Sequence, residues 1–103
     1  MIINNVSINI LESIRQEWLY CMQITHIPKM MSTGLFLSAK MTRILVEEQM
    51  GGHKYSIKYT CESKSKLDQY KHEYASKLEE KHTKKFKGKF VDFKTLIKVK
   101  SDF

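Results

Sequence analysis

The hydrophobic period of this chain switches between two residues and about four in the order strand, helix, strand, strand, helix, strand. No other feature limits its fold as tightly, because each period commits a segment to one backbone geometry. Ile2–Ile10 alternates, with Ile2, Val6, Ile8 and Ile10 on one face and Asn5, Ser7 and Asn9 on the other. That is a strand with one buried face. From about Glu12 to Met31 the apolar residues return every four positions: Ile14, Trp18, Met22, His26, Met30. This stripe predicts a helix, in which Pro28 removes a backbone donor and kinks or thins the last turn. Gly34 ends it.

Leu35–Glu47 is expected as the second strand, with Leu37, Ala39, Met41, Arg43 and Leu45 on one side. Gly51-Gly52 provides a turn, and His53–Cys61 returns as a third strand with Tyr55, Ile57, Tyr59 and Cys61 sharing a face. Ser63 or Ser65 caps a second helix whose inner face carries Leu67, Tyr70, Tyr74, Leu78 and His82, and Gly88 breaks it. In Phe90–Lys100, Val91, Phe93, Thr95, Ile97 and Val99 alternate with Asp92, Lys94, Lys98 and Lys100. The order βαββαβ predicts an α+β, ferredoxin-like sandwich: an antiparallel four-stranded sheet with both helices on one face. One domain is expected over 1–100, with 101–103 as a short tail.

Two helices cover only one side of such a sheet. The other side is expected to keep Phe36, Ile44, Phe90 and Leu96 among polar groups, too apolar to stand bare. Pairing two sheets in a homodimer, as a dimeric α/β barrel, resolves this.

The apolar fraction of 42% belongs to a chain with a core, not a disordered one. No apolar run reaches the ~20 residues of a membrane span. The N-terminus lacks a basic region and a small-residue cleavage site, so no signal peptide is read and the cytoplasm is the expected compartment. Cys21 and Cys61 lie on separate elements without metal-ligand spacing and are expected as reduced thiols. The net charge of +7 is carried by the second half: from His53 onward fourteen lysines face seven acidic residues, whereas the first half is balanced. A lysine-rich second helix, with Lys77, Lys81, Lys84 and Lys85, attracts anionic partners or is simply a solvated helix end.

The ordered set Glu17-Trp18, His26-Ile27-Pro28, Thr33-Gly34-x-Phe36, Arg43, Gly51-Gly52, Tyr55, Tyr59, Tyr70 and Phe90-x-x-Phe93 resembles the bacterial proteins of domain-of-unknown-function family 4286. The resemblance covers Ile2 to Val99. It implies membership of the dimeric α/β-barrel superfamily, with antibiotic-biosynthesis-type monooxygenases and EthD-like proteins as relatives, and a cleft between helices and sheet. It implies no particular activity.

His26 is the candidate for catalysis, because an imidazole in an apolar cleft can move a proton on an aromatic or carbonyl compound. Its competing role is a core histidine that fixes the helix end. Trp18, Met22 and Tyr55 are candidates for shaping a pocket for a small hydrophobic or aromatic molecule, and equally for plain core. Arg43 shares the face of Leu37, Ala39 and Met41. Drawn inward it needs a carboxylate, either Glu17 or one on a substrate.

No cofactor is expected: the residues around haem in the related monooxygenases have no matching placement here. No metal site is expected either, since His26, His53, His72 and His82 are scattered. RNA-recognition domains share the βαββαβ order, but the third strand lacks their second aromatic and the first strand has Ile3 in place of one, which argues against nucleic acid. The leading expectation is binding, with or without cofactor-independent turnover, of a small hydrophobic or aromatic molecule. The alternative is a non-catalytic dimeric module that binds protein or nucleic acid through its lysine-rich helix.

Overall fold

The computed structural model describes residues 1–45 and 52–103. Strands β1 (Ile2–Leu11), β2 (Ser38–Arg43), β3 (Gly52–Cys61) and β4 (Phe90–Lys98) form one sheet in the order β2-β3-β1-β4. Every neighbouring pair is antiparallel. Helical segments fill the two long connections, and the architecture is the ferredoxin-like α+β sandwich expected from the element order. The turn expected at Gly51, and the strand residues expected beyond 45, lie outside the described residues.

Register assigns the two faces. Ile8 pairs with Tyr55 on one side and Asp92 on the other, and Val6 with Ile57 and Lys94. Paired residues point the same way, so Tyr55, Ile57, Tyr59 and Cys61 line the helix side, as their alternation predicts. There they pack with Trp18, Leu67, Tyr70 and Phe86, all fully buried. Phe36 joins this core against Tyr59 and Tyr70, with ring centroids at 5.3 and 4.9 Å. Phe90 also faces the helices.

Three of the four residues expected on the uncovered face therefore lie on the helix side. Phe36 is in the core, Phe90 packs against it, and Leu96 is in register with the cleft residue Asn4. A different set takes their place. Asn9, Ser7, Asn5 and Ile3 pair with Val91, Phe93, Thr95 and Ile97, so the apolar alternation of β4 faces away from the helices. Val91 and Phe93 are 73% and 65% exposed. Ile44 lies beside them, around a shallow depression on this open side.

The first helical connection runs through a 3-10 turn (Glu12–Ile14), helix α1 (Arg15–Cys21), a wide π turn (Met22–His26) and helix α2 (Ile27–Ser32). Proline disturbs it as expected, with Pro28 in the first turn of α2 just after the π turn. Gly34 closes the segment at φ 75°, where its N–H bonds the Met31 carbonyl at 3.2 Å. Ser63 caps helix α3 (Lys64–Glu73), accepting from the Lys66 amide at 3.3 Å. The second helix breaks at Tyr74 and resumes as α4 (Ala75–Lys85). Cys21 and Cys61 are both free thiols.

Candidate functional site

His26 ends the π turn, and the turn brings its ring toward the side chains of α4. Its centroid lies 5.4 Å from that of His82. His82 is held on three sides. Trp18 Nε1–H donates to His82 Nε2 at 2.9 Å, and the rings of Phe86 and Phe90 sit at 5.3 and 4.8 Å. Burial pushes the His26 imidazole down to about 4, helped by His82 and Lys29. Burial lowers His82 as well, opposed by the Asp92 carboxylate. Two uncharged imidazoles therefore stand side by side at neutral pH.

Both rings form part of the wall of a cleft of about 200 Å³ between the helical layer and the sheet. Its apolar lining is Val6, Ile8, Met22, Met30 and Ile57. Asn4, Glu79, Asp92 and Lys94 add polar groups. Lys94 and Glu79 form an ion pair across β4 and α4. Tyr70 Oη–H donates to Glu79 Oε2 at 3.3 Å and lies 3.2 Å from Met30 Sδ. Burial holds the Tyr59 and Tyr70 phenols above their ordinary value, so both remain protonated donors.

Of the residues singled out by sequence, His26 and Met22 line this cleft. Trp18 sits behind it, fully buried, and reaches it only through His82. Tyr55 packs at a tilt against Trp18, ring centroids 5.1 Å apart, on the core side. Arg43 shares the register of Tyr55, but its side chain is exposed at the sheet edge. It meets His53 Nδ1 at 3.1 Å rather than Glu17, and His53 in turn contacts Glu12. An arginine on an edge strand reaches solvent past the helices and needs no buried partner. The structure does not bring Arg43 or Tyr55 to the cleft.

Sequence reasoning missed Asn4, Glu79, Asp92 and Lys94. Asn4 had left a signal, as the one polar residue in the otherwise apolar set Ile2, Val6, Ile8, Ile10; it is 5% exposed. Among the described residues no group of three or more His, Cys, Asp or Glu is placed to hold a metal ion. No helix among them is long and apolar enough to cross a membrane.

A family model described as a domain of unknown function (DUF4286) matches residues 1–100. The chain belongs to that family. Solved structures resemble this DUF4286 chain over its whole length. A dimeric ferredoxin-like protein from an uncultured marine organism has a TM-score of 0.72 at 18% identity, covering 100% of this chain and 98% of that one. An ethyl tert-butyl ether D (EthD) family protein from Bacillus halodurans has 0.68 at 18% identity, covering 97% and 100%. A second dimeric ferredoxin-like protein of uncultured marine origin has 0.58 at 10%, covering 97% and 98%. At these identities the likeness establishes the fold alone. No curated protein matches the chain.

Proposed function

We propose that this DUF4286 chain binds a small, mainly hydrophobic or aromatic molecule in the cleft between helices and sheet, with His26 placed to exchange a proton with it without a cofactor. One observation carries the reading: two uncharged imidazoles in contact, at the wall of a cleft lined by Met22, Met30 and Ile57. A core histidine ordinarily spends its ring nitrogens on protein partners. Among the described residues His26 makes no protein hydrogen bond, and neither of its nitrogens is sealed from solvent. The cleft volume sets the ligand's scale. Cavities of about 150 Å³ hold benzene, so about one ring with a short substituent fits.

The working unit is a homodimer formed through the open sheet face. Val91 and Phe93 stand exposed there, and two of the structural relatives are described as dimeric. Of the α4 lysines only Lys84 is ion-paired among the described residues, with Glu80 at 2.7 Å, and no observation on this surface favours the alternative partner.

Methyl-labelled methionine tests the cleft directly, because Met22 and Met30 line it while Met1 and Met41 do not. Single-ring compounds added to labelled protein are expected to shift the Met22 and Met30 methyl signals and leave Met1 and Met41 in place. A panel that shifts neither, or shifts only the distant methyls, removes the cleft as a binding site.

A further inference from the structure

The indole N–H of Trp18 is a donor and cannot accept. Placed 2.9 Å from His82 Nε2, it requires a lone pair on that nitrogen, so the proton of the neutral ring sits on Nδ1. The ring has little freedom to turn. Trp18 is fully buried, and Phe86 and Phe90 flank the imidazole. Among the described residues no protein acceptor hydrogen-bonds Nδ1–H; Asp92 acts on the ring electrostatically but makes no hydrogen bond to it. The outcome is a neutral donor of fixed tautomer in the wall of a cleft of mixed polar and apolar lining, beside a His26 ring that is able to accept.

We propose that the cleft selects small carbonyl compounds: the carbonyl oxygen accepts from His82 Nδ1–H, and the apolar body lies on Met22, Met30 and Ile57. Trp18 is the positioning residue that keeps the proton on Nδ1. This rests on the ligand cleft proposed above and narrows its occupant. The discrimination is chemical: a hydrocarbon of the same shape displaces water from Nδ1–H without replacing its hydrogen bond, and an unpaired donor is costly. An ammonium compound offers His82 Nδ1–H a donor where an acceptor is needed, so its binding would draw on His26 or on the Glu79 and Asp92 carboxylates instead.

Acetophenone, ethylbenzene and 1-phenylethylamine share one skeleton and differ in this group alone. Their affinities are measured by NMR titration of the ¹⁵N-labelled protein, while two-bond ¹H–¹⁵N correlations report the tautomer of His82. The wild-type protein is expected to show Nδ1–H and to bind acetophenone about ten-fold or more tighter than ethylbenzene. Trp18→Phe is expected to shift His82 toward Nε2–H and to shrink that ratio to about two-fold or less, with ethylbenzene binding nearly unchanged. His82→Leu, which removes the Nδ1–H donor and leaves Trp18 in place, is expected to shrink the ketone-to-hydrocarbon ratio likewise should the Trp18 variant fail to fold. An Nε2–H tautomer in the wild-type protein overturns the proposal even if all three compounds bind. So does equal affinity for the ketone and the hydrocarbon, or an amine preference that Trp18→Phe leaves unchanged while the ketone-to-hydrocarbon ratio also stays unchanged. If no compound binds while His82 shows Nδ1–H, the cleft reading fails and this inference falls with it.

Discussion

His26 is depressed to about 4, chiefly by burial, and that displacement acts on folding as well as on chemistry. In the unfolded chain its imidazole titrates near 6.5. Between those values the unfolded state holds more protons than the folded state, so stability rises with pH and falls as acid is added. Above pH 6.5 neither state is protonated there and the effect vanishes. His82 is lowered too and adds in the same direction, tempered by Asp92. From pH 6.5 down to about 4, His26 alone is expected to remove up to about 1.4 kcal/mol per pH unit. Urea unfolding at pH 7, 6 and 5 measures this, and His26→Leu is expected to flatten the slope. A wild-type midpoint that does not move between pH 7 and 5 contradicts the burial of an uncharged ring. His26 itself was legible in the sequence, because it stands as the one titratable residue in an apolar stripe. His82 Nε2 as the acceptor of Trp18 was not, since 64 residues separate the partners and only the fold joins them.

Both helical connections are interrupted, and the spacing of their apolar residues gives a common physical reason. An α-helix turns about 100° per residue, so a stripe repeated every four residues drifts about 40° at each step. From Ile14 to Met30 that drift would total about 160°, enough to carry Met30 off the sheet. The π turn at Met22–His26 widens the helix and takes drift out, and Met22 and Met30 both end up buried. The second stripe, Leu67, Tyr70, Tyr74, Leu78, His82, drifts less, because its first step is three residues, but its three four-residue steps still carry His82 about 120° past Tyr70. The helix breaks at Tyr74 (φ −124°) instead, which returns Leu78 and His82 toward the sheet and leaves Tyr74 36% exposed. The stripes were visible in the sequence. The interruption at Tyr74 was not, because no proline or glycine marks it.

The end of the first helical connection carries a sharper prediction. Gly34 occupies a left-handed conformation at φ 75° that a side chain destabilises by about 1–2 kcal/mol, although a Cβ there would meet nothing within 4 Å. Gly34→Ala is expected to lower the urea-unfolding free energy by that amount with ligand binding unchanged. Gly34→Asn, which tolerates the same conformation, is expected to lose less. Equal stability of wild type and Gly34→Ala would show that the backbone relaxes at this position.

At the scale of the whole molecule, alternation told which residues of β4 share a face but not which face meets the helices. β4 is an edge strand covered only at its start, where Phe90 packs on His82. Further along, its helix-side residues Asp92 and Lys94 open into the cleft, so polar residues stand where a fully covered strand would need apolar ones. The apolar set is thereby left for the open face. That face is uneven. Val91, Phe93 and Ile97 occupy the β4 edge, while exposed Lys40, Lys54 and Lys58 stand on β2 and β3. Two copies stacked squarely would set lysines against lysines in a water-poor contact. The favourable arrangement centres the two β4 stripes on each other and leaves the lysines at the rim, where solvent and ions screen them. Phe93→Asp is then expected to convert a wild-type dimer to monomer in sedimentation equilibrium, with its far-ultraviolet circular dichroism retained, since Phe93 is 65% exposed in the single chain. Raising salt is expected to tighten the wild-type dimer by screening the rim lysines. A wild-type monomer, or a Phe93→Asp protein that still dimerises, would move the interface off this face. A dimer loosened by salt would instead require opposite charges across the contact, and therefore a different pairing of the two sheets.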